Sequence, residues 1–159
     1  MSMELTEVMF WFSSVWILPF WILMWFLPDH HLTRRFVGDL RYCFLPLLIP
    51  YIIVVLPQVS TILLTLASDM PTPQIVIDLF ADEDVIILGW LHYLAFDMFV
   101  GRFIWLRMVA MKRPMYVSTP VLILCMMMAP LGCAVGVAAT WGEGGRVDTI
   151  ASSSLETLE

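Results

Sequence analysis

Apolar residues fall along this chain in four long runs, and short stretches between them hold most of its charge. The runs cover residues 9–27, 44–67, 85–106 and 119–140. Each is close to the ~20 residues that a helix needs to cross ~30 Å of hydrocarbon. The pattern predicts an all-α, polytopic membrane protein with four transmembrane helices in one domain over residues 1–141. Beyond Trp141 the chain loses its hydrophobicity and becomes rich in Gly and Ser. Residues 142–159 are expected to be a flexible polar tail, whose last residues could be foreign to the protein. A secretory signal is the rival reading of the first run. It fits poorly, because Glu4 and Glu7 stand where a basic region belongs and no small-residue cleavage site follows.

The charges between the runs segregate by sign. Arg34, Arg35 and Arg41 lie between the first two runs, and Arg107, Lys112 and Arg113 between the last two. The middle connection holds Asp69, Asp78, Asp82, Glu83 and Asp84 and no Lys or Arg. Basic loops favour the cytoplasmic side. Both termini and the acidic connection are therefore expected on the opposite side, with the basic loops facing cytoplasm, or stroma in a plastid. Within the acidic connection, Ile75, Val76, Leu79 and Phe80 follow Pro71 and Pro73 at helical spacing. That reads either as a short interfacial helix or as a plain loop.

Composition sharpens this picture. Of 159 residues, 60% are hydrophobic and 14% charged, against roughly 45–50% and 25% in soluble domains. Eight basic residues in a chain of net charge −6 offer no patch for nucleic acid. Cys43, Cys125 and Cys133 have no metal-ligand spacing, and on one straight helix Cys125 and Cys133 lie roughly 12 Å apart, too far for a disulfide. His30 and His31 read as interfacial, so no metal site is expected. Prolines fall at Pro19 in the first run, at Pro46, Pro50 and Pro57 in the second, and at Pro120 and Pro130 in the fourth. They predict kinked spans, which either simply pack or open a cavity for an elongated apolar ligand. Gly132 and Gly136 are spaced for close helix contact.

The third run is the one with chemistry in it. "GWLHYLAFDMFVGR" sets His92, Asp97 and Arg102 inside a segment otherwise built for lipid. Counting from Val85, His92 lies roughly 10 Å deep and Asp97 roughly 18 Å, near the midplane. A carboxylate there costs about 2.5–3.5 kcal/mol by insertion scales. Gly89, Tyr93, Asp97 and Gly101 recur every four residues and form one small, polar stripe, expected to face the helix bundle. Asp97 serves either as interhelical glue or in function. Arg102 either reaches toward headgroups or pairs with Asp97. His92 remains open between a packed histidine, a pigment ligand and a proton carrier.

"WLHYLAFDMFVGRFI" resembles the signature of the abscisic-acid-deficient-four-like family, small membrane proteins of bacteria, algae and plants. "FLPDHHLTRR" is similar to the family's pattern at Pro28, Thr33 and Arg34. "APLGCAVG" matches it at Pro130 and Gly132 and departs at Ala129. The likeness covers about residues 9–140. With no transit segment ahead of Met1, the expected form is bacterial or already trimmed, in a bacterial inner membrane or a plastid membrane.

The resemblance implies a role in carotenoid metabolism, since plant members are required for converting violaxanthin to neoxanthin. Turning an epoxide into an allene is an isomerisation without net redox change, so no cofactor is required. It needs an acid at the epoxide oxygen and a base at the adjacent polyene carbon. Asp97 and His92 are the expected catalytic pair. Tyr93, Arg102, Gly89, Gly101 and Trp90 are the expected substrate contacts. The alternative is a non-catalytic subunit that binds carotenoid or chlorophyll in a larger membrane complex, with His92 as a pigment contact. Expected partners are membrane lipids, a carotenoid-type ligand, and either a membrane complex or further copies of the chain.

Overall fold

A computed structural model describes residues 3–68 and 72–141; the predicted tail, Asp69 and Pro71 lie outside the described residues. All regular structure among the described residues is helical. The first apolar run forms α1 (Met3–Phe26), which starts earlier than expected and takes in Glu4 and Glu7. The basic connection folds into two short helices, α2 (His31–Phe36) and α3 (Leu40–Cys43). The second run is divided into α4 (Leu45–Val55) and α5 (Val59–Ser68). The acidic connection holds a short helix, α6 (Pro73–Leu79), with Thr72 as its N-cap. The third run becomes α7 (Glu83–Ala110). The fourth is divided into α8 (Met115–Met127) and α9 (Ala129–Ala139).

Two of these helices, α1 and α7, are long and apolar enough to cross a membrane; α4, α8 and α9 are shorter apolar helices. The expectation of continuous second and fourth spans thus meets breaks, and proline explains where they fall. Pro57 has no N–H for the carbonyl of Ile53, and the chain turns over residues 56–58. Pro130 likewise cannot bond Met126, so α8 stops at Met127 and Met128 adopts φ −151°. Pro130 then sits in the first turn of α9, where a missing N–H costs nothing. By contrast, Pro19, Pro50 and Pro120 are carried inside α1, α4 and α8.

The turn at Met128 changes the geometry of the last run. A Cβ on Gly132 would collide with the backbone N of Cys125 and come within 2.5 Å of its Cα. On a straight helix, residues seven apart are separated by about 10 Å. The helical-rise distance between Cys125 and Cys133 therefore does not apply. Gly136, one turn on, lies against Ile104 of α7, where a Cβ would stand 2.7 Å from Cγ2. The close-packing glycine pair is thus observed, with a different neighbour for each glycine.

The chain divides into two compact units, Met1–Leu18 with Leu40–Phe96, and Pro19–Asp39 with Asp97–Glu159. In the first, Val54 of α4 packs on Leu88 and Leu91 of α7, with Met9, Tyr51, Val55, Ile62 and Ile87 around them. Buried Thr6 donates to Asp84 at 3.0 Å, and Trp90 Nε1 donates to Ser14 Oγ at 3.2 Å. Asp82 caps α7 by accepting from the N–H groups of Asp84 and Val85.

In the second unit, side chains satisfy the carbonyls that helix ends leave open. Thr33 Oγ1 donates to Leu27 O, Thr119 Oγ1 to Trp25 O at 2.9 Å, and Trp105 Nε1 to Pro28 O at 3.0 Å. At the end of α9, Arg107 Nη2 donates to Thr140 O at 3.3 Å and its Nε to Thr140 Oγ1 at 2.9 Å. The end of α7 closes with a Schellman pattern, in which Arg113 N donates to Met108 O and Lys112 N to Val109 O. Lys112 takes φ 50° there.

Along α1 both faces are apolar, with Ile17, Trp21 and Met24 buried alongside the polar Thr6 and Ser13. Thr6 and Ser13 are each 1% exposed, whereas Val15 is 60% and Phe26 64% exposed. The outward face is at least as apolar as the inner one.

Candidate functional site

A cleft of about 370 Å³ lies in the first unit, lined by residues of α4, α5, α6 and α7 and by Phe80, the C-cap of α6. Its apolar walls include Val55, Ile62, Leu79 and Leu88, and its polar groups are Tyr51, His92 and Tyr93. Local sequence explains how each reaches the cleft. Tyr51 stands one residue after Pro50, within an otherwise aliphatic α4. His92 and Gly89 are three apart on α7 and share a face. Gly89 makes room for the ring of Phe80, since a Cβ at that position would stand 3.0 Å from Phe80 Cε1.

The His92 imidazole is stacked nearly parallel to the ring of Phe96, with centroids 6.3 Å apart and an interplanar angle of 5°. The Tyr51 ring faces it from α4 at 6.0 Å. Among the described residues, none of the hydrogen bonds or ion pairs of the structure involves Tyr51, His92, Tyr93 or Asp97. The cleft therefore presents an imidazole and two phenols whose bonding capacity the protein leaves open. Also among the described residues, no three His, Cys, Asp or Glu side chains come together as a metal-binding group.

Of the residues singled out from the sequence, the cleft brings together Gly89, His92 and Tyr93. The others are placed elsewhere. Trp90 bonds to Ser14, and its ring lies 5.8 Å from Phe10. Gly101 is buried against the indole of Trp21. Arg102 donates from Nε to Val37 O at 2.8 Å and from Nη2 to Gly38 O at 2.5 Å, at the end of α2. Asp97 is half-buried in the second unit and is not among the residues lining the cleft.

One expectation needs correction. The stripe of Gly89, Tyr93, Asp97 and Gly101 does not face inward throughout, for Tyr93 is 59% exposed. The buried side chains of α7 are Val85, Leu88, Leu91 and Ala95 in the first unit and Met98, Val100, Ile104, Trp105 and Met108 in the second, because these apolar groups supply the packing. The small polar stripe lies beside them. Sequence reasoning also passed over Tyr51 and Phe80. Tyr51 carried a usable signal, as the one polar side chain within residues 45–55; Phe80 carried none.

An all-helical chain with two membrane-length helices, an apolar outward face and a cleft with a few unbonded polar groups suits a small apolar ligand. The chain matches the ABA DEFICIENT 4-like family over residues 8–135 and belongs to it. Membership suggests a role related to carotenoid and neoxanthin metabolism. No curated protein and no solved structure matches the chain.

Proposed function

We propose that the chain is an integral membrane protein that binds an epoxycarotenoid at the cleft beside α7 and isomerises its epoxide to an allene. The observation that carries this reading is the family match. The apolar walls and the open imidazole and phenols of the cleft support it. In this reading α1 and α7 cross the bilayer, and the pairs α4–α5 and α8–α9 fill the other two spans. The basic connections then face cytoplasm or stroma. The exposed apolar face of α1 supports that embedding.

The chemistry is one proton in and one proton out. Asp97 donates a proton to the epoxide oxygen as the C–O bond opens. His92 removes a proton from the adjacent polyene carbon, and the electron pair released forms the allene. Atoms balance without an oxidant.

A second reading is a non-catalytic carotenoid- or chlorophyll-binding subunit. It is favoured by one observation: His92 lines the cleft and Asp97 does not. The test is expression in a carotenoid-accumulating bacterium supplied with violaxanthin, followed by separation of the extracted pigments. A new allenic product that disappears in Asp97→Asn supports the isomerase. Unchanged violaxanthin that co-purifies with the protein supports the pigment-binding subunit and refutes turnover.

A further inference from the structure

The size and lining of the cleft say more about the ligand than the family match does. A cavity of about 150 Å³ holds a benzene ring, and ligand pockets run from ~300 to ~1,000 Å³. At about 370 Å³, this cleft has room for one methylated ring, and a polyene attached to that ring would run out over its open side, where Tyr93 is exposed.

Its lining fixes the chemistry of that ring. None of the residues around it is Asp, Glu, Lys or Arg, so it offers no counter-charge to a phosphate or an ammonium group. Burying an ion there would be costly. A neutral ring with one or two oxygen atoms meets no such cost, because Tyr51 and His92 stand on opposite helices with rings 6.0 Å apart. Neither has a hydrogen-bond partner among the described residues. Gly89 sets the depth, since a side chain longer than a methyl there would meet the ring of Phe80, which an added Cβ already approaches to 3.0 Å.

We propose that this cleft is the receptor for a single oxygenated ring, the end group of the ligand. Tyr51 and His92 supply its hydrogen bonds, and Gly89 with Phe80 sets its size limit. The inference rests on the carotenoid reading above and narrows it: the protein engages one end of a long ligand, and the polyene lies outside the cleft.

The probe is an epoxidised, hydroxylated ionone, a single methylated ring without the polyene. Its binding to the full chain in nanodiscs is measured by equilibrium dialysis against empty nanodiscs, which removes simple partition into lipid. The probe is expected to be retained above the lipid background. Gly89→Leu, which fills the cleft, should weaken it at least tenfold. Tyr51→Phe, which keeps the ring and removes one hydroxyl, should weaken it about fivefold. Helix content is checked for both, and if Gly89→Leu fails to fold, Tyr51→Phe decides.

Retention at the lipid background, or equal retention by wild type and folded variants, overturns the proposal even if violaxanthin is converted. Retention that follows the expected order upholds it even if no allenic product forms, and the isomerase reading alone then fails.

Discussion

Replacing Gly132 with alanine separates two descriptions of the last apolar run by the sign of the effect. On a straight helix through residues 119–140, Gly→Ala removes a flexible residue and stabilises by about 1 kcal/mol. In the broken arrangement of α8 and α9, the new methyl meets the backbone N of Cys125 and comes within 2.5 Å of its Cα and 2.7 Å of its Sγ. Ordinary carbon contacts begin at ~3.5 Å, so the two helices must separate by about 1 Å. Backbone cannot swing aside as a side chain does. The cost therefore belongs to the upper part of the overpacking range, about 2–3 kcal/mol. The two descriptions thus differ by about 3–4 kcal/mol. Unfolding of the detergent-solubilised chain by a denaturing surfactant, followed by helical circular dichroism, reads that difference. Gly89→Ala is the internal comparison, because its obstacle is the edge of an exposed Phe80 ring at 3.0 Å, and it should change stability by less than about 1 kcal/mol. If Gly132→Ala is as stable as wild type or more so, the turn at Met128 is refuted.

Other substitutions test the helix ends. Arg102→Met removes the charged donor from the carbonyls of Val37 and Gly38 and should cost about 2–4 kcal/mol in the same unfolding assay, since bonds to charged groups are worth ~1.5–3 kcal/mol each and do not add fully. A loss below about 1 kcal/mol would show that those carbonyls do not depend on it. Thr33→Val keeps the shape of a fully buried side chain but takes the donor from Leu27 O, for an expected loss of about 1–2 kcal/mol. Lys112→Gly relieves the left-handed backbone at φ 50° and should stabilise by about 1 kcal/mol; destabilisation would mean that the lysine side chain matters more than its backbone.

What the sequence revealed and what it hid divide along one physical line. Hydrophobic run length marks where a helix belongs, so the four apolar runs are helical, with α1 and α7 each extending beyond the predicted bounds at its N-terminal end. Continuity is a matter of single hydrogen bonds, and six prolines gave no rule for telling a carried kink from a break. Pro120 is carried and Pro130 breaks the helix, although both interrupt an equally apolar run. The resemblance carried by "WLHYLAFDMFVGRFI" led to the family, because a motif is a local string. The cleft was hidden for the opposite reason. Tyr51 and Phe80 reach it from α4 and from the end of α6, and no spacing within α7 points to either.

The polar residues of α7 can be sorted by what they bond to, and the sorting bears on function. In an apolar setting every backbone carbonyl without a partner is costly, by several kcal/mol in hydrocarbon. Polar side chains spent on such carbonyls therefore have a structural reason to be there. Arg102, Trp105 and Arg107 are of this kind, serving the ends of α2, α1 and α9. Asp84 and Trp90 bond to Thr6 and Ser14 on α1. His92, Tyr93 and Asp97 have no such partner among the described residues, yet they carry the same penalty for being placed in an apolar helix. The buried side chains of α7 are apolar and lie beside them, and His92 itself packs on aromatic rings, those of Phe96, Tyr51 and Tyr93. The mid-helix polar groups that make no hydrogen bond among the described residues are thus the ones proposed above for the ligand, whereas Arg102, drawn from the same motif, bonds to the backbone at the end of α2.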